Sequence, residues 1–164
     1  FPDAKVTGTN LQETWQYGFA KKLGLAHDFD IVPDITILKD VDLIFASEYF
    51  EHFYEPIAHL KDILDNCNPK FLVCANGFTG DAIGHFDSYR DLEESDKQWG
   101  LFSEDGESKG NIQSDKETSK RFGQYLKYRG YTKLNTDIFN SRPNIWQRDK
   151  VQPLTSESFK ELFE

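Results

Sequence analysis

Glu51 and His52 are adjacent, and His85 lies in a glycine-flanked segment, Ala82-Ile83-Gly84-His85-Phe86. Imidazole titrates near neutral pH, so either histidine is able to take a proton from a hydroxyl or an amine. Glu51, His52 and His85 are therefore the candidate catalytic residues. The plain alternatives stay open: Glu51 as an exposed helix acid, His52 packed near a strand end, His85 as a solvent-facing loop residue. A metal cluster of Glu51, His52, Glu55 and His59 is also conceivable. However, the chain has no HExxH spacing and Pro56 interrupts the helical register, so no metal site is expected. Cys67 and Cys74 are too few for a disulfide framework and read as core or near-core thiols.

The elements that must position these groups are readable from periodicity. Ala4–Gly8 and Phe29–Val32 read as short strands. Asn10 with Glu13 has capping-box spacing, and Leu11, Trp15, Phe19 and Leu23 recur every four residues as one apolar helical stripe. Gly24 is the expected stop of that helix. Val41–Ser47 is nearly continuously apolar, as a strand buried on both faces would be. Pro56 suits the first turn of a helix whose apolar positions are Ile57, Leu60, Ile63 and Leu64, and Asn66–Pro69 breaks it. Phe71–Ala75 is a further buried strand. Residues 76–113, rich in glycine and acids, form a long loop insertion in which Trp99 and Phe102 suggest a lid. Ser114 with Glu117 caps a helix carrying Phe122, Tyr125 and Leu126 and ended by Gly130. Tyr131–Asn140 and Asn144–Arg148, joined by Ser141-Arg142-Pro143, read as an antiparallel hairpin. The expectation is one α/β domain over residues 1–150, with a tail at 151–164 whose Phe159, Leu162 and Phe163 have helical spacing.

Composition excludes some functions. Nineteen Lys+Arg against 28 Asp+Glu give a net charge of −9 over 164 residues. That balance disfavours nucleic acid and anionic membrane surfaces, both of which select basic faces. No apolar stretch approaches the roughly 18 residues of a membrane span. With no signal-peptide pattern either, a cytoplasmic location is expected. The chain contains no Met and opens within what looks like an element, Phe1-Pro2-Asp3, so it reads as N-terminally incomplete.

Several segments, in order, resemble one family. Phe1–Leu11 looks like a second strand with an aromatic-Pro start and a "vtGvD"-like ending, and Ala20–Leu25 like the end of the helix after it. Val41–Ser47 followed by Glu51-His52 and Pro56 resembles a fourth strand and its "EH…P" sequel. Gly84-His85-Phe86 resembles the segment after a fifth strand, and Tyr131–Arg148 a closing hairpin. Together they resemble the class I S-adenosylmethionine-dependent methyltransferases. The resemblance implies a Rossmann-like, mostly parallel sheet ending in an antiparallel hairpin. It also implies S-adenosyl-L-methionine as cofactor and methyl transfer to a small-molecule acceptor. Asn10 and Leu11 would then lie by the ribose, Asp34 would accept from the adenine amino group and Ile35 would cover the ring. Ser47 and Glu48 would face the sulfonium, with Tyr49 and Tyr89 on the acceptor. A sulfonium methyl is already activated, so alignment and exclusion of water matter more than acid–base help.

Two departures accompany the likeness. The family's first strand and Gly-rich loop would fall before Phe1, and Asn10 stands where Asp or Glu is usual. An amide offers one acceptor and one donor group to the ribose where a carboxylate accepts twice, and the spacing to Glu13 equally suits a helix cap. A non-catalytic methyltransferase-like binding or assembly module is the alternative. A sheet edge left open by a missing strand would favour pairing with another chain.

Overall fold

The computed structural model describes residues 4–10, 12–92, 111–112, 115–135 and 143–149, with the backbone alone at 111, 112 and 115. The elements run β1 (Thr7–Thr9), α1 (Trp15–His27), β2 (Asp30–Val32), β3 (Leu43–Ser47), α2 (Pro56–Cys67) and β4 (Phe71–Ala75). They continue with β5 (Tyr89–Arg90), β6 (Asn111–Ile112), α3 (Asp115–Tyr128), β7 (Tyr131–Leu134) and β8 (Asn144–Arg148). The class is α/β. β1 and β2 form a parallel pair, and a four-stranded sheet has the order β3-β4-β8-β7.

That larger sheet is mixed, where a mostly parallel one was expected. β3 and β4 are parallel, but the closing hairpin inserts β8 beside β4, so β4–β8 and β8–β7 are antiparallel. An antiparallel hairpin is present, as expected, but its first strand ends at Leu134, opposite Ile145, and does not reach Asn140, so the connection is longer than Ser141-Arg142-Pro143; most of it lies outside the described residues. Trp99, Phe102, Ser114 and the tail also lie outside them.

The core forms where one face of this sheet meets two helices. Ile44, Ala46, Leu72, Cys74, Tyr131 and Trp146 pack with Ile57, Leu60, Ile63 and Leu64 of α2 and with Phe122, Tyr125 and Leu126 of α3. Pro56 opens α2 at its first turn, where its missing N–H costs nothing, and Asn68 ends it in the left-handed region. Gly130, at φ +76, follows α3 as expected.

β3 departs from its expected burial on both faces. Ile44 and Ala46 face the core, but Leu43 and Phe45 are exposed, Phe45 at 66%. Successive strand residues point to opposite faces, and among the described residues β3 is an edge of the sheet with its second face open at Leu43 and Phe45. On that face the sheet is covered at Val73 and Ile145, the register partners of Phe45 on β4 and β8, but not at Phe45 itself.

The first helix also differs. Trp15, Phe19 and Leu23 are exposed, so the apolar stripe is not a core face among the described residues. Its start is four residues later than a cap at Asn10 requires. Thr14 is the N-cap, its hydroxyl accepting the Tyr17 N–H at 3.2 Å. Gly24 lies inside the helix, not after it, and Asp28 takes the left-handed cap position. Gly24 is needed there for close approach, because a Cβ would stand 2.4 Å from the Phe29 carbonyl oxygen. Removing the cap in Thr14→Ala should cost about 1 kcal/mol locally, a roughly fivefold faster hydrogen exchange at the Tyr17 amide. Asn10→Ala should leave that amide unchanged; the reverse pattern would restore Asn10 as the cap. No helix among the described residues is long and apolar enough to cross a membrane.

Candidate functional site

β3 and β4 run in the same direction and end level, Ser47 opposite Ala75. The chain segments that leave them are thus brought side by side, although they are far apart in sequence. Glu48 continues the pairing by one bond, its N–H donating to the Ala75 carbonyl at 2.8 Å, and it does so at φ +49. A left-handed conformation is uncommon for a residue with a Cβ. It turns the chain sharply into a 3₁₀ turn, Phe50–His52.

That turn divides its three side chains. Phe50 enters the core between Tyr49, His59 and Phe122. Glu51 is fully buried, which overturns the alternative of an exposed helix acid. Its Oε1 accepts the Gly77 N–H at 3.0 Å, and its carbonyl accepts the Tyr89 hydroxyl at 3.1 Å. Its Oε2 is buried with no hydrogen-bond partner, and so is Oδ1 of Asn76, the residue before Gly77.

His52 is exposed, with Nδ1 3.2 Å from the Gly84 carbonyl oxygen. His85 is half-buried, with Nδ1 2.8 Å from the Thr79 carbonyl oxygen. A carbonyl only accepts, so in each ring Nδ1 carries the proton, and the neutral ring keeps its lone pair on Nε2. The two rings meet edge to face, with centroids 5.1 Å apart. Gly84 is at φ +82, and a Cβ there would approach His52 Nδ1 to 3.1 Å, so glycine serves both the turn and the ring's seat. Glu48, Glu51 and His85 each present a ligand atom, all within 4.8 Å of one another.

The remaining candidates fall in two places. Asn10 and Asp34 follow the parallel pair β1–β2 at its carboxyl end, and Ser47 closes β3. The Asn10 N–H donates to the Val32 carbonyl at 3.3 Å. Asp34 caps the 3₁₀ turn Ile35–Ile37, accepting the Thr36 N–H at 2.9 Å, and Ile35 is half-buried against the core. Leu11 lies outside the described residues.

The hydroxyls of Tyr49 and Tyr89, the two residues expected at the acceptor, are both hydrogen-bonded within the chain. Tyr89 is buried and its hydroxyl is engaged by Glu51. Tyr49 packs beside Phe53, and its hydroxyl lies 2.9 Å from His59 Nε2. Burial, with help from the Asp34 charge, pushes the Tyr49 phenol up to about 12, so it donates. Burial lowers His59 below its ordinary value, against the nearby charges of Asp34 and Asp62, so at neutral pH the ring is neutral and accepts. Burial likewise pushes Cys74 up to about 12 and raises Cys67. Both thiols stay protonated and buried, as expected of structural cysteines.

Sequence reasoning named Glu48, Glu51 and His85 but missed them as a group, weighing Glu51 as a metal ligand with His52, Glu55 and His59 instead of with Glu48 and His85. The three-residue spacing of Glu48 and Glu51 was visible. The approach of His85 and the supporting Gly77, Thr79 and Gly84 depend on the folded loop and have no local signal. No known protein family, curated protein or solved structure matches this chain.

Proposed function

We propose that the chain belongs to an S-adenosylmethionine-dependent methyl-transfer system with a Rossmann-like sheet, acting on a small-molecule acceptor. The observation that carries the proposal is the gathering of Glu51, His52 and His85 beyond the carboxyl ends of the parallel strands β3 and β4. Ligand crevices of open α/β sheets lie at that end of their strands. Asn10 and Asp34 follow the same end of the other parallel pair, suiting the ribose and adenine contacts the resemblance implies. A further parallel strand along the open edge of β3 would cover Phe45 and extend the sheet.

The bound cofactor supplies an activated methyl on a positive sulfur. His52 Nε2, held by the Gly84 carbonyl in the form that accepts, takes the proton of an acceptor hydroxyl or amine. His85 lies against it, and the buried carboxylate of Glu51 favours the resulting positive charge. The cofactor would supply the methyl that takes the place of that proton on the acceptor, and His52 would pass the proton on to water.

Calorimetric titration with S-adenosylmethionine should give saturable heat. His52→Ala and His85→Ala should then bind cofactor as the parent does while turnover falls about 10²-fold, the usual scale of positioned acid–base help. Absence of heat at millimolar cofactor would favour a non-catalytic binding module instead. Unchanged turnover in both variants would remove the acceptor-side role.

A further inference from the structure

We propose that Glu48, Glu51 and His85 bind a divalent transition-metal ion of the Mn²⁺ or Zn²⁺ type. The proposal does not rest on methyl transfer. Its first support is the convergence of two carboxylates and one imidazole, whose ligand atoms all lie within 4.8 Å of one another. The second is independent of that grouping. Glu51 is fully buried, yet its Oε2 has no hydrogen-bond partner, and among the described residues it has no ion-pair partner. A carboxylate removed from water is costly unless a positive charge or donors replace the lost hydration. One neutral donor, the Gly77 amide on Oε1, is a weak replacement for that hydration. Asn76 Oδ1, beside that amide in the chain, is a second buried acceptor without a partner. The buried Glu51 oxygen without a donor is the kind of acceptor that a cation satisfies.

The histidine is prepared for the same task. Its Nδ1–H is held by the Thr79 carbonyl at 2.8 Å, which fixes the ring and leaves Nε2 as the lone-pair atom. Ligating imidazoles commonly have their second nitrogen held in this way by an outer acceptor. An oxygen-oxygen-nitrogen donor set suits first-row divalent ions better than Ca²⁺, which selects oxygen alone. Glu48 is exposed, so the ion would keep positions open to water or to a substrate oxygen, which it would polarise. With the ion bound, His85 is a ligand, and His52 alone keeps Nε2 for the proton.

Mn²⁺ alone is the probe. Titrating the full chain into Mn²⁺ should remove the free-ion electron paramagnetic resonance signal with one equivalent per chain, and Zn²⁺ should compete. Glu51→Gln, Glu48→Gln and His85→Ala should each weaken uptake at least about tenfold, while Asp62→Asn, on the exposed side of α2, should not. Because Glu51 is buried, its variant is checked for parental circular dichroism, and the exposed Glu48→Gln carries the test if Glu51→Gln misfolds. No saturable uptake by the parent, or parental uptake by both Glu48→Gln and His85→Ala, would overturn the site. Mn²⁺ uptake without S-adenosylmethionine heat sustains the metal and removes methyl transfer; heat without uptake does the opposite.

Discussion

Phe50→Ala is expected to lower the stability of the fold by about 3–5 kcal/mol, the range for removing a fully buried phenyl ring. Phe50 has no exposed surface and touches Phe122 of α3 at a centroid distance of 4.8 Å, close to edge-on. It also meets Tyr49 at 5.2 Å and His59 of α2 at 6.1 Å. The ring is thus the link between the turn after β3 and both core helices. Truncation would lose the buried area, the aromatic contacts, and the packing of whatever cavity the neighbours fail to fill. Phe50→Leu should recover a large part of the loss, since a branched aliphatic chain fills much of the same volume. Urea unfolding with a constant slope measures both. A loss below about 1 kcal/mol for the alanine variant would mean that the turn does not anchor to α3 as described. The site should feel the same change, because Glu51 and His52 follow Phe50 in the same 3₁₀ turn.

Arg121→Ala is expected to cost nearly as much, about 3 kcal/mol, by a different cause. Asp91, just after β5, has a side chain 1% exposed, and its Oδ2 lies 2.8 Å from Arg121 Nη1 on α3, where the arginine side chain is 19% exposed. Its Oδ1 accepts the Leu92 N–H at 3.0 Å. Water cannot rehydrate Asp91 readily, so deleting the guanidinium removes a close counter-charge from a buried carboxylate. The pair of Arg121 with Glu117, at 3.6 Å and with the acid 48% exposed, is screened by solvent and contributes little. A double variant Asp91→Asn/Arg121→Ala should therefore be less destabilised than the sum of the singles. Strict additivity in that cycle would show that the ion pair is not the source of the effect. Since Asp91 and Arg121 tie the segment after β5 to α3, the single variant should also loosen Tyr89, whose hydroxyl holds the Glu51 carbonyl.

Much of the local architecture was legible in the sequence, because its causes are local. Pro56 and the spacing of Ile57, Leu60, Ile63 and Leu64 specify α2 whatever surrounds it. The apolar runs at 43–47 and 71–75 specify strands, and Gly130 ends α3. Signals were misread where two local rules competed. Asn10 with Glu13 matches a cap as well as Thr14 does, and only the path of the chain after β1 selects Thr14. Gly24 matches a helix stop, yet its lack of a Cβ serves the approach of the Phe29 carbonyl.

By itself the sequence placed α2, β3, β4, α3 and β8, but not β5 and β6, which lie within the stretch read as a loop, and it named Glu51, His52 and His85 as candidate acid–base groups. It did not determine burial or company. Continuous hydrophobicity in β3 could not say that one face stays open, because that depends on which strand lies beside it. Nor could residue type say that Glu51 is buried with an unsatisfied oxygen, or that Tyr49 and Tyr89 spend their hydroxyls on His59 and Glu51. Those facts come from the level ends of β3 and β4, which bring Glu48 and Glu51 against the loop of Gly77, Thr79 and His85. Periodicity encodes each element's own geometry, whereas a site made across two strand ends exists only once they pair.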